Sequence, residues 1–134
     1  MIDPAEIDLP EVKAEMEAMF AEYERALMAN DVDVLTKLFR RDSRTLRFGA
    51  GENLYGWEAI MAFRSARVVA GLDRRLVNTI ITTYGHDFAV ANTEFHRSTG
   101  VVGRQSQTWV RFAQGFRIVA AHVSLLAQNA APRP

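Results

Sequence analysis

The sequence contains no cysteine, which removes disulfides, thiolate metal sites and cysteine nucleophiles together. That absence also fits a reducing compartment. Net charge is missing as well, because sixteen basic and sixteen acidic side chains cancel. A nucleic-acid binder held by bulk electrostatics needs a basic excess or stripe, so that class is disfavoured. No apolar run approaches the ~20 residues of a membrane span. The opening Met-Ile-Asp-Pro lacks the basic start and apolar stretch of a signal peptide. The reading is a cytoplasmic, soluble protein with no nucleic-acid or membrane partner. Lysine is nearly absent too: Lys13 and Lys37 stand alone, and the other basic residues are arginines. Arginine presents a planar fork of donors suited to carboxylates. A GC-rich genome explains that bias as well as an acidic ligand does, so each arginine needs its own argument.

What is present is one domain. The 134 residues are too few for two cores, and 49% of them are apolar, as in an ordinary globular chain. The domain spans 1–134, with a core over about 11–126. In the first half, Val12, Met16, Met19, Phe20, Tyr23 and Leu27 recur at steps of three and four and mark one face of a helix. Glu17, Glu22, Glu24 and Arg25 take its other side. Asp31 suits the cap of a second, shorter helix carrying Val34, Leu35, Leu38 and Phe39. Arg44 to Phe48 reads as a short extended stretch, and Gly49 to Gly56 as a turn-rich loop containing Asn53 and Tyr55. A third helix runs from Trp57 to about Ala70, ended by Gly71.

The second half changes period. Leu76–Tyr84, Phe88–Arg97, Arg104–Phe112 and Phe116–Leu126 read as four strands separated by short turns, with a frayed tail from Ala127. Helices first and a strand meander after make an α+β domain. With Gly115 at the tip of the last hairpin, Val110 faces Ile118, Thr108 faces Ala120 and Ser106 faces His122. Phe95 then falls near Ser106, and Thr93 near Thr108. One sheet face carries Thr93, Ser106, Thr108, Val110, Ile118, Ala120, His122 and Ser124; the other carries Gln105, Gln107, Trp109, Val119, Ala121 and Val123. Both hold too much apolar area to be simply wet. The expectation is that one face closes over a cavity with the helices and the convex face is buried in a homodimer.

The common catalytic signatures are absent. Gly49-Ala50-Gly51 lacks the third glycine of a dinucleotide fingerprint, and no P-loop or Gly-x-Ser-x-Gly spacing occurs. His86, His96 and His122 have no metal-ligand spacing, so no metal and no cofactor are called for. Chemistry by hydrogen bonds, charge and proton transfer remains. Tyr23 sits on the apolar face of the first helix, where an inward phenol needs a partner. Arg47 lies among large apolar neighbours; it either reaches solvent or, pointing inward, must be paired with an anionic ligand or an acid such as Glu94. Arg64 and Arg67 share one side of the third helix and read first as a solvated pair. Ser106, Thr108 and His122 fall on the presumed cavity face. Trp57 either walls the pocket or packs the helix start.

The order of three helices and a curved strand meander resembles the nuclear transport factor 2-like fold, a cone-shaped α+β half-barrel. The stretches Gly103-Arg104-Gln105-Ser106-Gln107-Thr108-Trp109-Val110-Arg111-Phe112 and Gly115-Phe116-Arg117-Ile118-Val119-Ala120-Ala121-His122-Val123-Ser124 narrow this. With Leu46-Arg47-Phe48-Gly49 and Tyr55-Gly56, they resemble the AtzH-like group, which includes proteins linked to oxalurate catabolism. The likeness runs from about Glu11 to Leu126, and Phe116 stands where many relatives carry tryptophan. The resemblance implies breakdown of small carboxylated ureas alongside an amidase, the defined activity being decarboxylating amide cleavage of 1,3-dicarboxyurea to allophanate. It implies Tyr23 and Arg47 as the catalytic positions. On that reading Arg47 orients a carboxylate and Tyr23 donates to the atom that gains charge. Arg64, Ser106, His122, Trp57 and Thr108 supply further substrate contacts. Two alternatives stand beside it: a ligand-binding or accessory protein without catalysis, and an isomerase or dehydratase using Glu94 or His122 as base.

Overall fold

The computed structural model describes residues 1–67 and 73–127. The expected helix end at Gly71, with Val68 and Ala70, and the tail beyond Ala127 lie outside the described residues. A one-turn 3-10 segment, Pro4–Glu6, precedes an isolated antiparallel bridge from Ile7 to Tyr84. Helix α1 spans Pro10–Ala29 and buries Val12, Met16, Phe20, Tyr23, Ala26 and Leu27 along one stripe. It stops at Asn30, whose left-handed backbone (φ 50°) turns its N–H back to the Ala26 and Leu27 carbonyls. Helix α2, Val32–Leu38, starts where the Asp31 carboxylate accepts from the Val34 N–H at 3.3 Å, as the capping argument expects. Helix α3 spans Trp57–Ala66.

Six strands follow the order β2-β1-β6-β5-β4-β3 in one curved, open sheet. They are β1 (Leu46–Phe48), β2 (Asn53–Tyr55), β3 (Arg74–Tyr84), β4 (Phe88–Arg97), β5 (Val102–Phe112) and β6 (Gly115–Leu125). Every neighbouring pair is antiparallel except β1 with β6. The segment read as a loop around Asn53 and Tyr55 is therefore partly a strand, formed because β1 offers it a free edge. Trp109, Phe116, Ile118 and Ala121 on the sheet join Met16, Phe20, Leu35 and Ile60 on the helices, and Phe39 just past α2, to make the core.

Register decides which side chains face that core, and here the sequence expectation is corrected. Thr108 pairs with Ala120 and Ser106 with His122, as expected. The ladder then slips by one residue between Thr108 and Trp109, so Ile118 meets Trp109 and Val110 meets Arg117. Such a bulge lets Trp109 and Ile118 both turn inward. Across β4, Thr93 pairs with Gln105 and Phe95 with Gly103, not with Thr108 and Ser106. The inner face thus carries Phe95, Thr93, Gln105, Gln107, Trp109 and Ala121, all buried. Ser106 and His122 are exposed, and Thr108, Val110, Ala120 and Ser124 are half-exposed on the outer face. Thr93 and Ile118 do face inward as expected, but along β5, and along β6 beyond the bulge, the inside is the other side: Trp109 has more apolar area to bury than any residue of the opposing set.

Candidate functional site

Where α1, α3 and the inner face of the sheet diverge, a cavity of about 290 Å³ remains. Tyr23 from α1 and Arg47 from β1 both line it, with Phe63 and Arg64 of α3, Arg67 just past that helix, Arg74 of β3 and Gln105 of β5. Arg47 is directed inward by strand parity: it stands between Leu54 of β2 and Ala121 of β6, and the small alanine leaves space beside it. Tyr23 is wholly enclosed, its ring edge-on to Phe39 at 6.3 Å. Arg64, expected to lie in solvent with Arg67, is instead fully buried at 0% exposure. Its Nη2 donates to the Tyr23 hydroxyl oxygen at 2.9 Å. Among the described residues no acceptor meets the Tyr23 hydroxyl, which leaves its proton available to a ligand in the cavity that it lines.

Five arginines line this space, yet among the described residues the single carboxylate lining it is Glu52. Aromatic faces help hold them: Arg47 and Arg67 flank the Phe63 ring at 5.3 and 5.7 Å, while Arg74 and Arg97 flank Phe95 at 4.6 and 5.3 Å. Arg74 is locked by Glu24, with Nε and Nη2 each donating to one carboxylate oxygen, and by Gln105 Oε1 at 2.9 Å. Glu24, read as part of the helix's solvent side, is therefore drawn inward. Arg47 Nη1 donates to Glu52 Oε1 at 2.7 Å. Several buried donors keep no partner: Arg47 Nε, Arg64 Nε and Nη1, and Gln105 Nε2. An unpaired buried donor costs about 1–3 kcal/mol, and all four of these belong to lining residues. The cavity is rich in donors and poor in acceptors.

Crowded cations set the site's protonation. Burial pushes the Tyr23 phenol up, but the Arg64, Arg47 and Arg74 charges outweigh it and leave it below its ordinary value. Burial, reinforced by Arg47 and Arg74, holds the Arg64 guanidinium below its usual range, with Tyr23 opposing. Burial beside Arg64 and Arg47 brings Arg67 down to about 10. Phenolate formation is thus easier here than in a free tyrosine, and additional positive charge is opposed. Both effects favour an anion.

The structure brings together Tyr23, Arg47 and Arg64, with Arg67 of the expected surface pair, but not Ser106, Thr108, His122 or Trp57. Ser106, Thr108 and His122 lie on the outer face, because the register places their neighbours inside. His122 meets Phe48 there, ring to ring at 5.8 Å. Trp57 packs the start of α3, donating from Nε1 to the Thr36 carbonyl at 2.7 Å, under the Arg41 guanidinium. Glu94 accepts from Asn78 outside the cavity and does not reach Arg47. Arg74, Gln105 and Glu52 were missed. Trp109 was the available signal for Gln105, since it shares the parity of Gln105 and Gln107; nothing local marks Glu52 or Arg74.

Three helices on a curved, open sheet with a cavity between the layers define an NTF2-like domain, also termed cystatin-like. The chain belongs to the AtzH-like family, whose model matches residues 5–129. It is similar to a DUF3225-family protein of unknown function from Pectobacterium atrosepticum: 57% identity, TM-score 0.93, covering 95% of this chain and 100% of that one. A cystatin-like fold protein from Burkholderia xenovorans shares 43% identity at TM-score 0.88, covering 92% and 98%. An NTF2-like superfamily protein from Salmonella enterica shares 25% identity at TM-score 0.73, covering 92% and 97%. Among curated proteins, none matches the chain.

Proposed function

We propose that the cavity cleaves a small N-carboxylated urea with loss of carbon dioxide, as in the conversion of 1,3-dicarboxyurea to allophanate. The observation that carries this reading is the Tyr23 hydroxyl, whose oxygen accepts from Arg64 at 2.9 Å inside a chamber lined by guanidiniums. In the reaction the bond from the terminal carboxylate carbon to nitrogen breaks. Its electron pair stays on nitrogen, the carbon leaves as carbon dioxide, and nitrogen takes the phenolic proton. Solvent then returns a proton to the phenolate.

The arginines serve that step twice. They hold the dianion before reaction, and they stabilise the phenolate formed when Tyr23 gives up its proton, a loss that the lowered pKa of this phenol already eases. A fixed array of donors aimed at developing charge is the kind of arrangement that accelerates such a step. The isomerase or dehydratase alternative takes Glu94 or His122 as base, and both stand outside the cavity.

The test is purified protein with freshly generated carboxylated ureas, following carbon dioxide and ammonia separately. Carbon dioxide without ammonia supports the proposal. Tyr23→Phe, with folding verified, should lose about 10²–10⁴-fold in turnover, the range for general acid catalysis. Tight binding without any product would assign the pocket a ligand-holding role instead.

A further inference from the structure

Two of the arginines that line the cavity are paired with glutamates, in different ways. Arg74 and Glu24 meet fork to fork, both side chains buried, at 2% and 13% exposure, on rigid elements. Arg47 and Glu52 share one hydrogen bond, from Nη1 to Oε1 at 2.7 Å. There the arginine is buried, at 7%, and the glutamate is open, at 28%. Glu52 comes from the turn between β1 and β2, which is closed by the Gly49 N–H on the Glu52 carbonyl at 2.8 Å. Its other oxygen accepts, among the described residues, only from the Gly51 N–H, at 3.2 Å. The carboxylate lies across Gly49: a methyl there would sit 1.8 Å from Glu52 Oε1. Arg47 Nε is buried and keeps no partner.

A structural counter-ion resembles the first pair, since bidentate geometry and burial of both partners make such a contact persistent. The second pair has a fixed cation and a carboxylate that can leave for solvent by side-chain rotation. Among the described residues it is also the lone carboxylate lining a space whose unpaired buried atoms are donors. We propose that Glu52 is the cavity's own carboxylate ligand, filling the Arg47 subsite until the carboxylate of a small incoming anion displaces it. The inference rests on reading the cavity as an anion site. Exchange of one carboxylate for another leaves the charge around Arg47 unchanged, so a ligand gains chiefly from what else it carries. A second carboxylate reaching Arg64 and Arg67 supplies that gain, which makes small dianions the preferred class.

The experiment uses malonate, a stable small dianion, titrated calorimetrically into the wild-type chain, Glu52→Gln and Glu52→Ala, with Arg47→Gln as reference. Freed of its internal competitor, Glu52→Gln should bind malonate about tenfold more tightly, and Glu52→Ala more tightly still. Without malonate both should melt below wild type, because Arg47 loses its partner, and malonate should raise their melting temperatures more than that of wild type. Weaker or unchanged malonate binding in the Glu52 variants, with wild-type binding lost in Arg47→Gln, would make Glu52 a holder of Arg47 and overturn the exchange while leaving the anion site intact. Absence of malonate binding in every protein would overturn the anion site and the exchange with it.

Discussion

Arg64 is the residue on which site and stability pull apart. It is fully buried, its one hydrogen-bonded partner among the described residues is a phenol, and Arg47 and Arg74 add to the burial that opposes its charge. Buried charges without a matching carboxylate are weak contributors to folding, and apolar replacements of similar volume often stabilise. Arg64→Met is therefore expected to raise unfolding free energy by about 1 kcal/mol, read in urea titrations, while malonate affinity falls at least tenfold. Tyr23 gives a second residue-level prediction. Its folded pKa lies below the ordinary ~10 of a phenol. The native state then holds fewer protons than the unfolded chain between the lowered value and ~10, so stability rises with pH across that window. The gain is complete above ~10 and disappears as pH falls through the folded value. The wild-type urea midpoint should accordingly rise relative to Tyr23→Phe as the solution is made alkaline. A difference that stays flat would mean the arginine charges do not reach the phenol.

At the scale of elements, the site depends on how β4 and β5 meet. Phe95 pairs with Gly103, and its ring lies over that glycine so closely that an added methyl would fall 2.1 Å from Phe95 Cζ. The same ring is flanked by Arg74 and Arg97. Gly103→Ala should push the ring toward the guanidiniums, costing about 1–3 kcal/mol as overpacking does. It should also weaken malonate binding, although residue 103 touches no ligand. Thermal melting and calorimetry on one variant check both halves. The elements themselves were largely legible: α1 from its apolar stripe, α2 from the Asp31 cap, and β3 to β6 from alternation and turns. β2 was not, because Asn53-Leu54-Tyr55 has little strand character and pairs only because β1 lies beside it. The bulge after Thr108 was also invisible, since a one-residue slip leaves no mark on composition yet reverses which side chains face inward.

At the scale of the whole molecule, the outer sheet face remains the proposed surface for a second copy. Phe48, Val90, Val110, Val119 and Ala120 are all half-exposed there, with Tyr55 open beside Phe48. Sedimentation is expected to give twice the 15.1 kDa chain mass, and Val110→Glu, which places charge in that face, should return the monomer mass with helix content unchanged. A wild-type chain sedimenting as a monomer would remove the proposal. No helix among the described residues is long and apolar enough to cross a membrane. No group of three or more histidine and acidic side chains among them is placed to hold a metal ion.

By itself the sequence determined what is periodic or local: three helices before a strand meander, the cap at Asp31, an arginine-rich chain, and a phenol on the buried stripe of α1. Those features depend on spacing along the chain, so they can be read from it. Tertiary structure alone decided the contents of the cavity. It turned Gln105 inward and His122 outward by strand pairing, buried Arg64 against Tyr23 from 41 positions away, and folded Glu52 back onto Arg47. The reason is that a side chain's environment is made by the elements packed against it, and their approach is fixed by register and by the burial of the largest apolar groups.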